Sequence, residues 1–187
     1  KISHVEIENL EEKLEQIPDI VERIIQTQEE KIKKLAEKYR DKKCFFFLGR
    51  GISSAVALED RLKLMEIAYV PSIAYPAGES KHGPISLIEP GFPVIFICPK
   101  DDTHRTIVGN IMEMKARGAS IIVVVEKGDE EIKSLADDYI EIETGLPEVL
   151  SPIPYVIPLQ LFAYYMAIER KCDPDMPRNL AKSVTVK

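Results

Sequence analysis

Glu59, Lys63 and Glu66 stand at i, i+4 and i+7, so a helix through them lines two carboxylates and an amine along one stripe. Such a stripe has the groups needed to move protons. The segment follows Phe45-Phe46-Phe47-Leu48 and Gly49-Arg50-Gly51-Ile52-Ser53, a strand, a tight turn and a helix start, where α/β folds keep their chemistry. The bland alternative is an ordinary ion pair on a solvated helix, worth about 0.3 to 0.5 kcal/mol. Leu58, Leu62 and Met65 each precede a polar member by one position. They are expected to form the buried face, with the charged stripe along its border as a cleft wall.

The elements that would carry this stripe are legible in the apolar spacing. Leu10, Leu14, Ile17, Ile20, Ile24, Ile25, Ile32 and Leu35 recur with helical period up to about Arg40, so two amphipathic helices lead in, with a break placed after Ile17 by Pro18. Strands are expected at 44–48, 69–75, 92–98, 121–125 and 139–142, and helices at 54–68, 103–117 and 130–136, with Gly118 closing one of them. A last apolar helix, Leu159 to Ile168, follows Pro152, Pro154 and Pro158. Strand and helix in alternation imply a parallel sheet, here a three-layer αβα sandwich with five strands. The expected division is a helical lead-in at 1–41, an α/β domain at 42–168 and an extended tail at 169–187, with Pro174 and Pro177 in the tail.

The totals narrow the function classes. A chain of 187 residues suits one α/β domain with extensions. The net charge of −6, with no basic cluster beyond Lys31-Ile32-Lys33-Lys34 and Lys42-Lys43, leaves no electrostatic footprint for nucleic acid. Cys44, Cys98 and Cys172 are an odd set without CxxC spacing, which points to a reducing cytoplasm. No secretory signal is seen, and no apolar run is expected to span a membrane. A start at Lys1 and a charged helical lead-in lead us to expect a piece of a longer polypeptide. No His/Cys/Asp cluster has metal-ligand spacing, so neither a metal nor a cofactor is expected.

Five segments together resemble the glutamine-fructose-6-phosphate aminotransferase (isomerizing) family: Gly49 to Ser53, Ala57 to Glu59, Lys63 to Glu66, Ala74 to Pro84 with its Lys81-His82-Gly83-Pro84 run, and Pro177-Arg178-Asn179-Leu180-Ala181-Lys182-Ser183-Val184-Thr185-Val186. The resemblance runs from about Cys44 to the end and matches the second of two sugar isomerase (SIS) subdomains. It implies a chain that works with an upstream SIS subdomain and a glutaminase domain, as a homodimer, on fructose 6-phosphate to give glucosamine 6-phosphate. By position, Glu66 matches the carboxylate that shuttles a proton between C1 and C2. Lys182 matches the lysine that forms a Schiff base with the open-chain ketose, and Ala181 beside it a substrate contact. His82 matches the ring-opening histidine, which in the family serves a neighbouring subunit, and Glu59 with Lys63 match supporting groups.

The chemistry asks for the same residue types. Carrying hydrogen from C1 to C2 needs a carboxylate that takes and returns one proton. A Schiff base needs an amine that is neutral when it attacks, and ring opening suits an imidazole titrating near neutrality. His4 and His104 have no such context and are expected at the surface. The family's Ser-rich phosphate loop is missing: the equivalent turn is Cys98-Pro99-Lys100-Asp101-Asp102-Thr103, whose acids repel a phosphate, while Gly49 to Ser53 is a weak substitute. The phosphate anchor is therefore expected from the upstream subdomain, and the chain alone is expected to turn over little or nothing. Two alternatives stay open, a noncatalytic sugar-phosphate-binding SIS module and a standalone phosphosugar isomerase or deglycase. Ser54-Ala55, Asp60-Arg61 and Lys187 depart from the family pattern.

Overall fold

The computed structural model describes residues 4–180. Five strands, β1 (Phe45–Gly49), β2 (Ser72–Pro76), β3 (Pro93–Cys98), β4 (Ser120–Glu126) and β5 (Asp138–Ile142), form one sheet in the order β2-β1-β3-β4-β5. All four pairings are parallel, with Phe47 opposite both Ala74 and Ile95, and Val124 opposite both Ile97 and Ile140. The central strands are continuous apolar runs because both sheet faces are covered. Phe45, Phe47, Ile95, Ile97, Ile122 and Val124 point to one side, Phe46, Leu48, Phe96, Val123 and Val125 to the other.

The first side is covered by α2 (Ile17–Tyr39), α3 (Ser53–Ala68) and α6 (Pro152–Glu169), the second by α4 (His104–Lys115) and α5 (Glu130–Leu135). This is the three-layer α/β sandwich expected. Helix α1 (His4–Glu15) precedes them, and α2 sends Ile20, Ile24, Ile32, Leu35 and Tyr39 into the core. Each such fully buried side chain is worth about 1.5 to 3 kcal/mol against exposure. Tyr39 also donates to Asp138 at 2.8 Å across the end of β5.

Prolines shift two boundaries from expectation. Pro18 sits in the first turn of α2, and the break falls at Gln16, because a first-turn residue has no intrahelical N–H bond to lose. Helix α6 likewise starts at Pro152 and runs through Pro154 and Pro158. Within Glu148–Glu169 an 18-residue window reaches a mean hydropathy of 1.2, enough by length and composition alone for a membrane span, and half of it is buried inside the fold. That apolarity has a use inside the fold: Tyr155, Leu159, Phe162, Ala163 and Met166 are buried in the core shared with α2 and α3.

Candidate active site

Helix α3 does place Glu59, Lys63 and Glu66 on one stripe. Lys63 Nζ lies 2.9 Å from Glu66 and 3.3 Å from Glu59, and all three side chains are partly exposed. The bond to Glu66 raises the Lys63 pKa, desolvation opposes it, and the bond to Glu59 adds to the rise. Lys63 is thereby held as an ammonium, bonded to both carboxylates of the stripe.

The apolar neighbours are not where amphipathic spacing put them. Leu58, Leu62 and Met65 are 49%, 37% and 38% exposed, while the buried face is Val56, Ala57, Asp60, Leu64 and Ala68. The charged stripe therefore borders an uncovered apolar strip. The location along the fold also differs. A crossover helix runs antiparallel to its strands, so Glu66, about 20 Å along α3 from Ser53, lies toward the N-terminal edge of the sheet and away from the turn after β1.

That turn is closed on itself. The Arg50 amide donates to Ser53 Oγ at 2.9 Å, Ser53 Oγ donates to Arg50 O, and Ser54 Oγ donates to Gly49 O. The amides of Ser53, Ser54 and Ala55 bond to carbonyls of Arg50, Gly51 and Ile52. Its hydroxyls and the amides of Arg50, Ser53, Ser54 and Ala55 are thus committed within the turn. Gly49 is required here, since a Cβ would stand 2.4 Å from Ser53 O. Arg50 crosses to Asn110 at 3.1 Å and lies over Gly78, where a Cβ would meet its guanidinium at 2.7 Å. This contact fixes the 3-10 turn Ala77–His82, helped by Lys81 bonding Glu113 at 2.8 Å.

His82 ends that turn and is exposed. Because the turn follows the C-terminal end of β2 and Glu66 nears the C-terminal end of the antiparallel α3, the topology sets His82 and Glu66 toward opposite edges of the sheet. One copy of the chain does not bring them together.

The loop after β3 is acidic in structure as in sequence. Asp101 Oδ1 accepts from the Thr103 amide and hydroxyl, and its Oδ2 is buried without a partner. Beside it a pocket of about 150 Å³ is lined by Lys100, Asp101, Glu126, Glu148 and Tyr155 among others, a setting that disfavours a phosphate. Among the described residues no group of three His, Cys, Asp or Glu side chains is arranged to hold a metal. His104, expected at the surface, is instead half-buried and pairs with Asp129 at 2.6 Å. Asp129 also caps α5.

Ala181 and Lys182 lie outside the described residues. The tail that leads to them does not leave the domain after α6. Arg170 donates to Ala68 O at the end of α3, Asp173 accepts from the amides of Asp175 and Met176, and the Arg178 amide donates to Tyr69 Oη at 2.8 Å. The Arg178 guanidinium carbon sits 4.0 Å from the centre of the Tyr69 ring. Tyr69 is the C-cap of α3, three residues after Glu66. It was expected to open a strand, and nothing local in the sequence marks it otherwise, because its partner is 109 residues away.

An αβα sandwich with strand order 2-1-3-4-5 is a doubly wound α/β fold, and residues 38–170 match the family model described as SIS domain. The chain belongs to the SIS domain family. It is 45% identical over 177 residues to the glutamine–fructose-6-phosphate aminotransferase (isomerizing) of Methanothermobacter thermautotrophicus, covering 95% of this chain and 30% of that protein. The same enzyme of Aquifex aeolicus is 48% identical over 181 residues, covering 97% and 30%. The C-terminal domain of glucosamine-fructose-6-phosphate aminotransferase from Francisella tularensis superposes with a TM-score of 0.86 at 33% identity, covering 92% of this chain and 48% of that one. The chain thus spans about 30% of the length of the curated relatives it matches.

Proposed function

We propose that this chain acts as the C-terminal isomerase subdomain of a glutamine-fructose-6-phosphate aminotransferase, making glucosamine 6-phosphate from fructose 6-phosphate and glutamine-derived ammonia. The observation that carries the proposal is the path of the tail. Its last described part rests on Tyr69, one turn beyond Glu66, and Lys182 follows four residues after Arg178. In this reading His82, acting in a neighbouring copy of a homodimer, moves a proton between the anomeric hydroxyl and the ring oxygen. Lys182 attacks C2 of the open ketose, water leaves, and ammonia then displaces the lysine from the imine. Glu66 takes a proton from C1 and returns it to C2, while Lys63 and Glu59 hold it and Ala181 contacts the sugar.

The Lys63 ammonium supports the assignment of the imine to another lysine, since Lys63 is locked in the charged form by its two carboxylates. The closed turn after β1 and the acidic loop after β3 support a phosphate anchor supplied by an upstream SIS subdomain of the same polypeptide. That subdomain is also the proposed cover for Leu58, Leu62 and Met65. A glutaminase domain further upstream supplies the ammonia, and the whole works in the cytoplasm.

The test uses the full-length enzyme with fructose 6-phosphate and borohydride. Wild type is expected to yield a reduced sugar adduct on Lys182. Glu66→Gln is expected to keep the adduct but lose turnover and the transfer of hydrogen from C1 to C2 by about two to four orders of magnitude. Turnover by Glu66→Gln at the wild-type rate would overturn the assignment of Glu66.

A further inference from the structure

We infer that Tyr69 is a positioning residue, a clamp that holds the tail at Arg178 and so sets how close Lys182 is delivered to Glu66. The inference rests on the roles proposed above for those two residues. Tyr69 takes the left-handed conformation, at φ 54° and ψ 37°, where glycine closes a helix freely and a tyrosine is disfavoured. The position keeps a tyrosine whose two ends are both used: the hydroxyl accepts from the Arg178 amide at 2.8 Å, and the ring face carries the guanidinium at 4.0 Å. A cation over an aromatic face is attractive at this distance.

The surroundings favour a cation there for a second reason. The C-terminal ends of α2, α3 and α6 converge on a cleft of about 650 Å³ that includes Arg40, Tyr69, Arg170 and Arg178 in its lining. Helix C-termini carry partial negative charge, which Arg170 answers, while Arg40 pairs with Glu169 and Asp41 in the same cleft. Arg170 closes the base of the cleft by donating to Ala68 O at 3.1 Å and Arg40 O at 2.5 Å.

The consequence is a length. With Arg178 held, four residues separate the fixed point from Lys182, a span of at most about 14 Å. Without the clamp the next fixed point is Cys172, whose amide bonds Ala167 O at 2.9 Å, and ten residues separate it from Lys182. The effective concentration of a tethered group falls roughly as the −3/2 power of tether length. Going from four residues to ten predicts about a fourfold loss.

The experiment measures borohydride-trapped adduct at Lys182 against time in the full-length enzyme with fructose 6-phosphate, for wild type, Tyr69→Leu, Tyr69→Phe and Arg178→Ala. Tyr69→Leu, which removes both contacts, is expected to form adduct about fourfold more slowly, with kcat falling and KM for fructose 6-phosphate held; Arg178→Ala, which removes the guanidinium and keeps the amide bond to Tyr69, is expected to lose part of that rate. Tyr69→Phe, which keeps the ring, is expected to recover most of the rate. Trypsin cleavage after Arg178 is expected to accelerate in Tyr69→Leu. Arg178 is exposed, so its alanine variant guards against a folding defect in the Tyr69 variants. Wild-type trapping rates in both Tyr69→Leu and Arg178→Ala, with adduct forming normally, would overturn the clamp and leave the roles of Lys182 and Glu66 intact. Absence of adduct from wild type itself would sink those roles and the clamp with them.

Discussion

Asp60 sits on the buried face of α3, one turn from Val56 and from Leu64, with no exposed surface and no hydrogen-bond partner for either carboxylate oxygen. Burial, with a smaller push from the Glu59 charge, holds its pKa well above the usual carboxylate range. The consequence for stability has a definite sign. Below about pH 4 the folded and unfolded chains both keep the proton, and the group adds no pH dependence. Above it the unfolded chain releases the proton and the folded chain retains it. Each pH unit then favours unfolding by about 1.4 kcal/mol until the folded-state pKa is passed. Asp60→Asn preserves the shape and removes the titration, so urea unfolding of both proteins at pH 5, 6, 7 and 8 isolates this one group. The stability of wild type relative to Asp60→Asn should fall with a slope of up to about 1.4 kcal/mol per pH unit, or roughly 3 to 6 °C in Tm per unit. A difference that is flat across this range would refute the reasoning, because it would mean that Asp60 is already ionised and solvated in the folded state.

Two other substitutions probe the site and its frame. Lys63→Met removes the cation between Glu59 and Glu66; the group is partly exposed, so stability should change by less than about 1 kcal/mol, while full-length turnover should fall on the order of tenfold to a hundredfold as Glu66 loses its support. An unchanged kcat would show that the ammonium merely decorates the helix. Gly49→Ala drives a Cβ to 2.4 Å from Ser53 O, which overpacks backbone against backbone and should cost about 1 to 3 kcal/mol or more. A lower urea midpoint at unchanged slope is the expected result, and a midpoint equal to wild type would show that the turn can open.

The layer order was legible because strands buried on both faces have nothing polar to alternate with. Phe45-Phe46-Phe47-Leu48 and Val94-Ile95-Phe96-Ile97 are continuous apolar runs, fully buried in the structure. Boundaries carrying proline were less legible. A proline in a first turn has no intrahelical bond to lose, while one further in, as Pro158 in α6, gives up a backbone bond, and spacing alone does not say which place Pro152, Pro154 and Pro158 occupy. Pairings such as His104 with Asp129 and Tyr69 with Arg178 join residues 25 and 109 apart. Local pattern holds no trace of them.

Helix α3 shows why the candidate site was only half legible. Amphipathic reading assumes one apolar face, and Leu58, Leu62 and Met65 were assigned to it by their place beside the charged stripe. The helix in fact has two apolar faces: Val56, Ala57, Leu64 and Ala68 bury against the sheet and α6, while Leu58, Leu62 and Met65 stay uncovered in a single chain. A helix apolar on two sides is the composition expected of one that is sandwiched. The stripe of Glu59, Lys63 and Glu66 runs along the seam between those sides. In the proposed assembly the upstream subdomain closes over the second face, so the carboxylate of Glu66 would pass from a partly solvated groove into a covered cleft. A proton taken from C1 is returned to C2 faithfully only if water is kept from exchanging it. The second apolar face is therefore part of the catalytic arrangement in this reading, and Leu62→Asp should raise solvent-hydrogen incorporation at C2 relative to internal transfer in the full-length enzyme. Equal partition in that variant and wild type would mean that something other than this face shields the site.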